Sequence, residues 1–106
     1  MEHTNQLDTA NGHFAFCEEY IKRGDYPTAE KEIVAAIMLY KKLLPEDDPK
    51  LLSALNYYGL CLHNSGKPDK ALVVMREMER TTRRLFGEGS EPHRLAAANL
   101  EYVLKV

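Results

Sequence analysis

Hydrophobic and polar positions along this chain follow the period of an α-helix, and turn-forming segments interrupt the pattern. Apolar residues recur at three- and four-residue spacings, as in Phe14, Cys17, Tyr20 and Ile21, which places them on one side of a helix. No segment shows the strict alternation that is typical of a β-strand. The pattern predicts an all-α protein of five helices, over about residues 7–23, 26–44, 49–66, 68–86 and 92–104.

Turn residues set the expected ends of these helices. Gly24 and Gly66 each end an apolar-periodic segment, and Asp25 and Asp48 are suited to cap the helices that follow. Residues 45–49 and 87–92 are rich in proline, glycine and acidic residues, but they are too short to be linkers between domains. We therefore expect a single domain over residues 1–106.

Residues 24–36 correspond to residues 66–78, which lie 42 positions later. The two segments share the kind of residue at equivalent positions more than the same amino acid. Gly24 and Ala29 in the first segment correspond to Gly66 and Ala71 in the second. An internal period of this length is typical of stacked helical hairpins, which mainly build a surface that binds another molecule. The period predicts one repeat at about 7–44, a second at about 49–86 and a half repeat at about 92–104.

Composition narrows the possible classes of protein. The 106 residues carry a formal net charge of −2, which gives no overall electrostatic case for nucleic-acid binding. The N-terminus lacks the basic start and apolar run of a signal peptide, and no segment is apolar enough to span a membrane. Cys17 and Cys61 lie within apolar-periodic segments, as expected for buried free thiols in a reducing compartment. The expected location is the cytoplasm.

Two stretches, residues 49–72 and 85–100, resemble the tetratricopeptide repeat family, in its 42-residue variant found in kinesin light chain. The likeness rests on the joint spacing of Gly59, Gly66 and Ala71 and on the pairs Leu55–Asn56 and Ala98–Asn99, whose asparagines are 43 residues apart. The resemblance implies antiparallel helical hairpins stacked as a short right-handed solenoid. It also implies that the first helix of each repeat lines a concave surface that holds a peptide, a helix or a protein.

The resemblance implies which residues face that partner. An asparagine amide supplies both a donor and an acceptor, so it can hydrogen-bond to the backbone of a bound peptide. The expected groove residues are Phe14, Glu18, Ile21, Asn56, Leu60, His63, Asn99 and Val103.

Several of these positions also have plainer interpretations. Asn56 and Asn99 could cap or bridge helices within the stack, and His63 could favour the end of its helix through the helix dipole. Arginines in the fourth helix could attract phosphate or an acidic partner, but a solvated outer face with neighbouring carboxylates is the favoured interpretation. Those arginines are Arg76, Arg80, Arg83 and Arg84.

Metal and catalytic sites are disfavoured. Cys17, Cys61, His13 and His63 could approach one another, but they lack the paired spacings that are typical of zinc sites. No glycine-rich phosphate loop is present, and neither cysteine can be matched to a base. We therefore expect no enzyme activity, no cofactor and no small-molecule substrate.

The fifth helix is apolar nearly all round in sequence, and its hairpin partner is missing. This pattern predicts self-association or capping by a partner, through Leu100, Val103, Leu104 and Val106. The leading functional expectation is a non-enzymatic scaffold for protein–protein interaction. The alternative is a small homo-oligomeric assembly or regulatory subunit that associates through this helix.

Overall fold

The structure is a computed structural model that describes residues 2–105, with side chains from residue 5 onward. Over that range it contains helices and turns and no strand. The helices are α1 (Glu2–Lys22), α2 (Tyr26–Leu43), α3 (Pro49–Asn64), α4 (Pro68–Phe86) and α5 (Glu91–Leu104). The predicted all-α class with five helices is confirmed. α1 begins at Glu2, earlier than the predicted residue 7. Polar residues can form the first turn of a helix without contributing to its pattern of apolar residues.

Glycine turns end α1 and α3 in the same way. Gly24 and Gly66 have positive φ angles of 75° and 79°, a conformation that glycine adopts without a steric penalty. In both turns the glycine N–H donates to the carbonyl three residues earlier, and the next N–H donates to the carbonyl five residues earlier, at 2.9–3.2 Å. The two turns are 42 residues apart, so the sequence period is also a period in backbone geometry.

Side-chain caps fix the starts of three helices. Asp25 accepts a hydrogen bond from the Thr28 N–H at α2, and Asp48 accepts one from the Lys50 N–H at α3. Ser90 does the same at α5. Each of α2 to α5 also has a proline in its first two positions, where the missing N–H costs no helical hydrogen bond.

Consecutive helices pack against each other through short connections, so neighbouring helices are antiparallel. α3 contacts α5 and meets α1 through side chains, so we group α1, α3 and α5 as one layer, which we call the odd layer, and α2 and α4 as the other. The core between α1, α2 and α3 includes Cys17, Ile33, Tyr40 and Cys61, all of them buried. Met75 and Met78 fill the core between α3, α4 and α5, as their helical spacing indicates.

The buried residues of α3 face two neighbours. Leu51, Ala54 and Cys61 belong to the cluster shared with α2, whereas Leu52 and Leu62 pack with residues of α4. In α5, the buried residues are His93, Ala96 and Val103, which lie 42 positions after Leu51, Ala54 and Cys61 and pack toward α4. α5 therefore keeps the 42-residue register and uses it to pack against the preceding helix.

The opposite side of α5 differs from the sequence expectation. On α3, three residues pack toward α4, namely Leu52, Gly59 and Leu62. The residues 42 positions later on α5 are Arg94, Glu101 and Leu104, and these are exposed. Ala98 and Lys105 lie at the edge of this exposed side, and the Lys105 ammonium pairs with Glu101 at 3.1 Å. α5 is thus not apolar all round, because charged residues occupy the centre of its outer surface.

Candidate functional site

One side of the odd layer carries a stripe of residues with the helical spacing of a groove. On α3 the stripe is Pro49, Ser53, Asn56, Leu60 and His63, and the 42-residue register extends it to α1 and α5. We call this surface the odd-helix face. Its residues are Leu7, Asn11, Phe14, Glu18 and Ile21 on α1, the five on α3, and Glu91, Leu95, Ala98, Tyr102 and Lys105 on α5.

Two cavities, each of about 340 Å³, indent the odd-helix face on either side of α3. Pro49 and Ser53 line both of them, so the N-terminal half of α3 forms a ridge between the two. The α1–α3 cavity includes Phe14 and Glu18, and the α3–α5 cavity includes Asn56. Three residues of the predicted groove therefore line cavities on one surface.

In the α1–α3 cavity, Tyr57 positions both predicted residues. Its ring packs edge-on against Phe14, with centroids 5.2 Å apart and planes at 83°, and its hydroxyl donates to Glu18 Oε2 at 3.1 Å. Burial, together with this hydrogen bond, raises the pKa of Tyr57, so the hydroxyl keeps its proton. Sequence reasoning missed Tyr57, which lies between α1 and α3 beside the stripe.

In the α3–α5 cavity, Asn56 Oδ1 is an acceptor without a donor. The atom is buried and has no hydrogen-bond partner among the described residues. A buried carbonyl oxygen in this state costs free energy unless another molecule supplies an N–H or O–H. Asn56 caps no helix among the described residues, and its side chain lines the α3–α5 cavity.

The other end of the face is more closed. Ile21 and Leu60 are half-buried against the core clusters. The His63 ring lies edge-on to Tyr102, with centroids 5.4 Å apart, and His63 Nδ1 is buried with no hydrogen-bond partner within residues 5–105. His63 is also in the last turn of α3, where a histidine favours the helix terminus, so its position fits both interpretations.

Two predicted groove residues are placed differently by the structure. Asn99 lies 42 positions after Tyr57, not after Asn56, so it is rotated by one residue around α5 away from the stripe. Val103 is buried, only 6% exposed, in a cluster with Leu62 and Met75. The prediction that Val103 contacts a partner, in the groove or in self-association, is corrected, because its side chain is committed to the core.

On α5 the stripe contains three residues that the sequence prediction did not name. Leu95 and Tyr102 are 55% and 51% exposed, and Ala98 between them is also exposed. The predicted pair of Asn56 and Asn99 has a 43-residue spacing, whereas the stripe follows the 42-residue period. The constant period was the available indication, since it places Ala98 in the position of Asn56.

The arginines of α4 are largely engaged by carboxylates. Arg80 pairs with Glu77 at 2.7 Å, and Arg83 pairs with Glu79 at 3.6 Å. Arg84 reaches Glu46, in the loop before α3, at 2.7 Å. These contacts favour the interpretation of a solvated outer face over that of a phosphate site.

Only part of the conceivable metal site comes together. Cys17 and Cys61 are buried free thiols in one core cluster, and their interaction, with burial, raises the pKa of Cys17 well above the range of a free thiol. His13 Nδ1 lies 2.8 Å from Glu32 Oε1 instead. Among the described residues, no group of three or more such side chains is arranged to hold a metal ion.

A larger cavity, of about 670 Å³, lies between α2 and α4 on the other side of the molecule. Its floor is apolar and includes Leu51, Leu55 and Tyr58. Two acidic residues at its edge, Glu46 and Glu77, are already paired with arginines. None of the three buried side-chain polar atoms that lack a partner in residues 5–105 lines this cavity, so it offers less to fix a ligand.

The residues predicted for self-association divide between core and surface. Leu100 is half-buried against the cluster of Leu62 and Met75, whereas Leu104 is 54% exposed. Val106 lies outside the described residues. Leu104 is therefore the one of these residues whose side chain the structure places mostly in solvent.

No family model matches the chain, and comparisons with curated proteins and with solved structures found no match. None of the described helices has the length and apolar character required to cross a lipid bilayer.

Proposed function

We propose that this chain is a non-enzymatic protein-interaction module whose odd-helix face binds an extended peptide segment of a partner protein. The observation that carries the proposal is the buried Asn56 Oδ1, an acceptor beside a cavity to which no described residue donates a hydrogen bond. A backbone N–H of an extended peptide is a suitable donor for such an oxygen. The partner then supplies this hydrogen bond.

The proposed architecture is a short right-handed stack of tetratricopeptide-like hairpins. It is supported by the equivalent glycine turns at Gly24 and Gly66 and by the 42-residue register of burial in α3 and α5. In such a stack the first helices of successive repeats line one surface. This places the binding residues on α1, α3 and α5.

The two cavities on either side of α3 favour an extended ligand. A peptide that crosses the ridge of Pro49 and Ser53 could place one side chain beside Phe14 and another beside Leu95. Its backbone would then pass close to Asn56. We also propose a cytoplasmic location, because the free thiols Cys17 and Cys61 are buried in one core cluster and a reducing compartment keeps them unlinked.

Peptide selection tests the proposal. Peptides from a random library are selected on the immobilised protein, and their affinities are measured by fluorescence anisotropy. We expect Asn56→Ala to weaken binding about 5- to 30-fold, which is the loss of one hydrogen bond of about 1–2 kcal/mol. The matched control is Asn64→Ala, an exposed asparagine of the same helix, which should bind like the wild type.

Two results would contradict the proposal. One is a failure to select any peptide that binds the folded protein in solution. The other is selected peptides whose affinity does not change in Asn56→Ala or in Leu95→Ser, since the proposal places both residues in contact with the ligand.

Assembly through α5 is the second candidate, and the exposed Leu104 favours it. Arg94 and Glu101 on the same side oppose it, because a helix packed there would bury charged groups. We expect a monomer in sedimentation velocity across a wide concentration range. Concentration-dependent association that Leu104→Ser abolishes, with no effect of the control Leu95→Ser, would instead favour assembly.

A further inference from the structure

We infer that the α3–α5 cavity accepts a lysine or arginine side chain of the bound peptide. This inference rests on the proposed function and specifies the chemistry of its ligand. The cavity is lined by Asp47, Pro49, Leu52, Asn56, Glu91 and Leu95, among others. Its walls suit the aliphatic stem of a long basic side chain, and its polar groups suit the cationic end.

The ionisable residues that line this cavity are both acidic. Asp47 and Glu91 are exposed at its rim, and neither forms a salt bridge within residues 5–105, unlike Glu46 and Glu79 nearby. Asn56 lines the same cavity and adds a third acceptor, because its Oδ1 has two lone pairs and no described residue donates a hydrogen bond to it. An ammonium or guanidinium group carries several N–H donors and a positive charge, so it complements all three.

The apolar part of the cavity fits the stem of such a side chain. Leu52 and Pro92 lie along its walls, with Leu95 and Phe86 exposed beside them. Lysine and arginine commonly pack their methylene groups on apolar surface while the charged end stays near water.

An anionic ligand is the obvious competitor, because the N-termini of α3 and α5 both lie at this cavity and helix N-termini attract anions. Here the backbone donors are largely absent or used. Pro49 and Pro92 have no N–H, and the side chains of Asp48 and Ser90 already accept hydrogen bonds from first-turn N–H groups. The Asp48 carboxylate adds a further negative charge, so the cavity favours a cation.

The α1–α3 cavity is the internal comparison. It has a similar volume, but its ionisable residues are of mixed sign, with Lys50 beside Glu18, and Glu18 already accepts from Tyr57. We therefore expect the preference for a basic side chain to belong to one end of the odd-helix face only.

The test uses peptides selected from the random library on the wild-type protein. We expect one position of the selected peptides to be enriched in lysine or arginine. Replacing that residue by norleucine keeps the stem, removes the charge and should weaken binding about tenfold, which corresponds to about 1.4 kcal/mol. The double variant Asp47→Asn, Glu91→Gln should lose affinity for the basic peptide to a similar extent and leave affinity for the norleucine peptide nearly unchanged.

The control variant is Asp8→Asn, Glu19→Gln, which changes the net charge equally at two exposed acids of α1. It should bind the basic peptide like the wild type. Selected peptides that lack a basic residue, or that bind the Asp47→Asn, Glu91→Gln variant as tightly as the wild type, would overturn this inference and leave the proposed function intact. If no selected peptide binds, the proposed function fails and the inference fails with it.

Discussion

Gly59 lets α4 lie directly against α3, because a Cβ atom at this position would overlap the end of the Met75 side chain. Met75 is fully buried, so its methyl group cannot move into solvent. Gly59→Ala should therefore lower the free energy of unfolding by about 1 kcal/mol, since the overpacking outweighs the gain in helix propensity. Urea unfolding measures this change.

Gly12 provides the opposite case for the same substitution. It lies inside α1, and no atom lies within 4 Å of the Cβ that alanine would add. Gly12→Ala should raise the free energy of unfolding by about 0.5–1 kcal/mol through helix propensity alone. If Gly59→Ala raises the free energy of unfolding as Gly12→Ala does, the close approach of α4 to Gly59 is not tight enough to exclude a Cβ atom.

A substitution of Asn56 should raise stability and weaken binding, whereas substitution of a residue with only a structural role should lower stability. Asn56→Leu removes a buried acceptor that has no donor among the described residues and fills the site with an apolar side chain. We expect the variant to be more stable in thermal unfolding, by about 1 kcal/mol, and to bind selected peptides more weakly. A less stable variant would mean that the Asn56 amide supports the fold.

Glu79 and His93 form a pair that makes stability depend on pH. Gly89 N–H donates to His93 Nδ1 at 3.0 Å, so the proton is on Nε2, which donates to Glu79 at 2.7 Å. This hydrogen bond, helped by the nearby arginines Arg83 and Arg80, lowers the pKa of Glu79. The stabilisation is complete above the ordinary carboxyl pKa of 4.5 and is lost as the pH falls through the lowered pKa.

Glu79→Gln should therefore cost stability at neutral pH and much less at acidic pH. Urea unfolding at a series of pH values measures the difference between variant and wild type. Glu77→Gln is the matched control, because Glu77 is on the same helix but exposed and paired only with Arg80. A difference for Glu79→Gln that stays constant below pH 4.5 would contradict the assigned role of its carboxylate.

At the scale of the helices, two adjacent aspartates distinguish the effect of a helix cap on stability from the effect of negative charge near the helix terminus. Asp48 Oδ1 accepts from the Lys50 N–H at 2.9 Å at the start of α3, whereas Asp47 is exposed and accepts from no described residue. Asp48→Ala should lower the free energy of unfolding by about 1 kcal/mol, and Asp47→Ala should leave it nearly unchanged. Equal losses in thermal unfolding would show that charge near the helix terminus, and not the cap, is responsible.

Most helix ends could be predicted because they depend on local chemistry. Asp25 and Asp48 cap α2 and α3, and Gly24 and Gly66 adopt the positive φ angles that end α1 and α3. The start of α1 could not be placed as well, because an exposed polar turn gives no apolar period. The prediction that α5 is apolar nearly all round is wrong, because Arg94 and Glu101 lie on its exposed side.

At the scale of the whole molecule, the repeat period predicts a binding surface shared by α1, α3 and α5, and this stays a prediction. Phe14, Glu18 and Asn56, which the resemblance to tetratricopeptide repeats implies as groove residues, line cavities between these helices. Tyr57 and the acidic rim of Asp47 and Glu91 were not predicted, because they depend on how side chains from different helices meet. No sequence spacing records such a meeting when the residues are far apart in the chain.

The most direct test of peptide binding by the odd-helix face is a titration of the ¹⁵N-labelled protein with a library-selected peptide, followed by NMR. The peptide should shift the amide resonances of Ser53, Asn56, Leu95 and Ala98 progressively and leave those of Lys42 and Arg76, in the other layer, nearly unchanged. Shifts confined to residues around the cavity between α2 and α4, with Asn56 and Leu95 unaffected, would contradict the proposed binding surface.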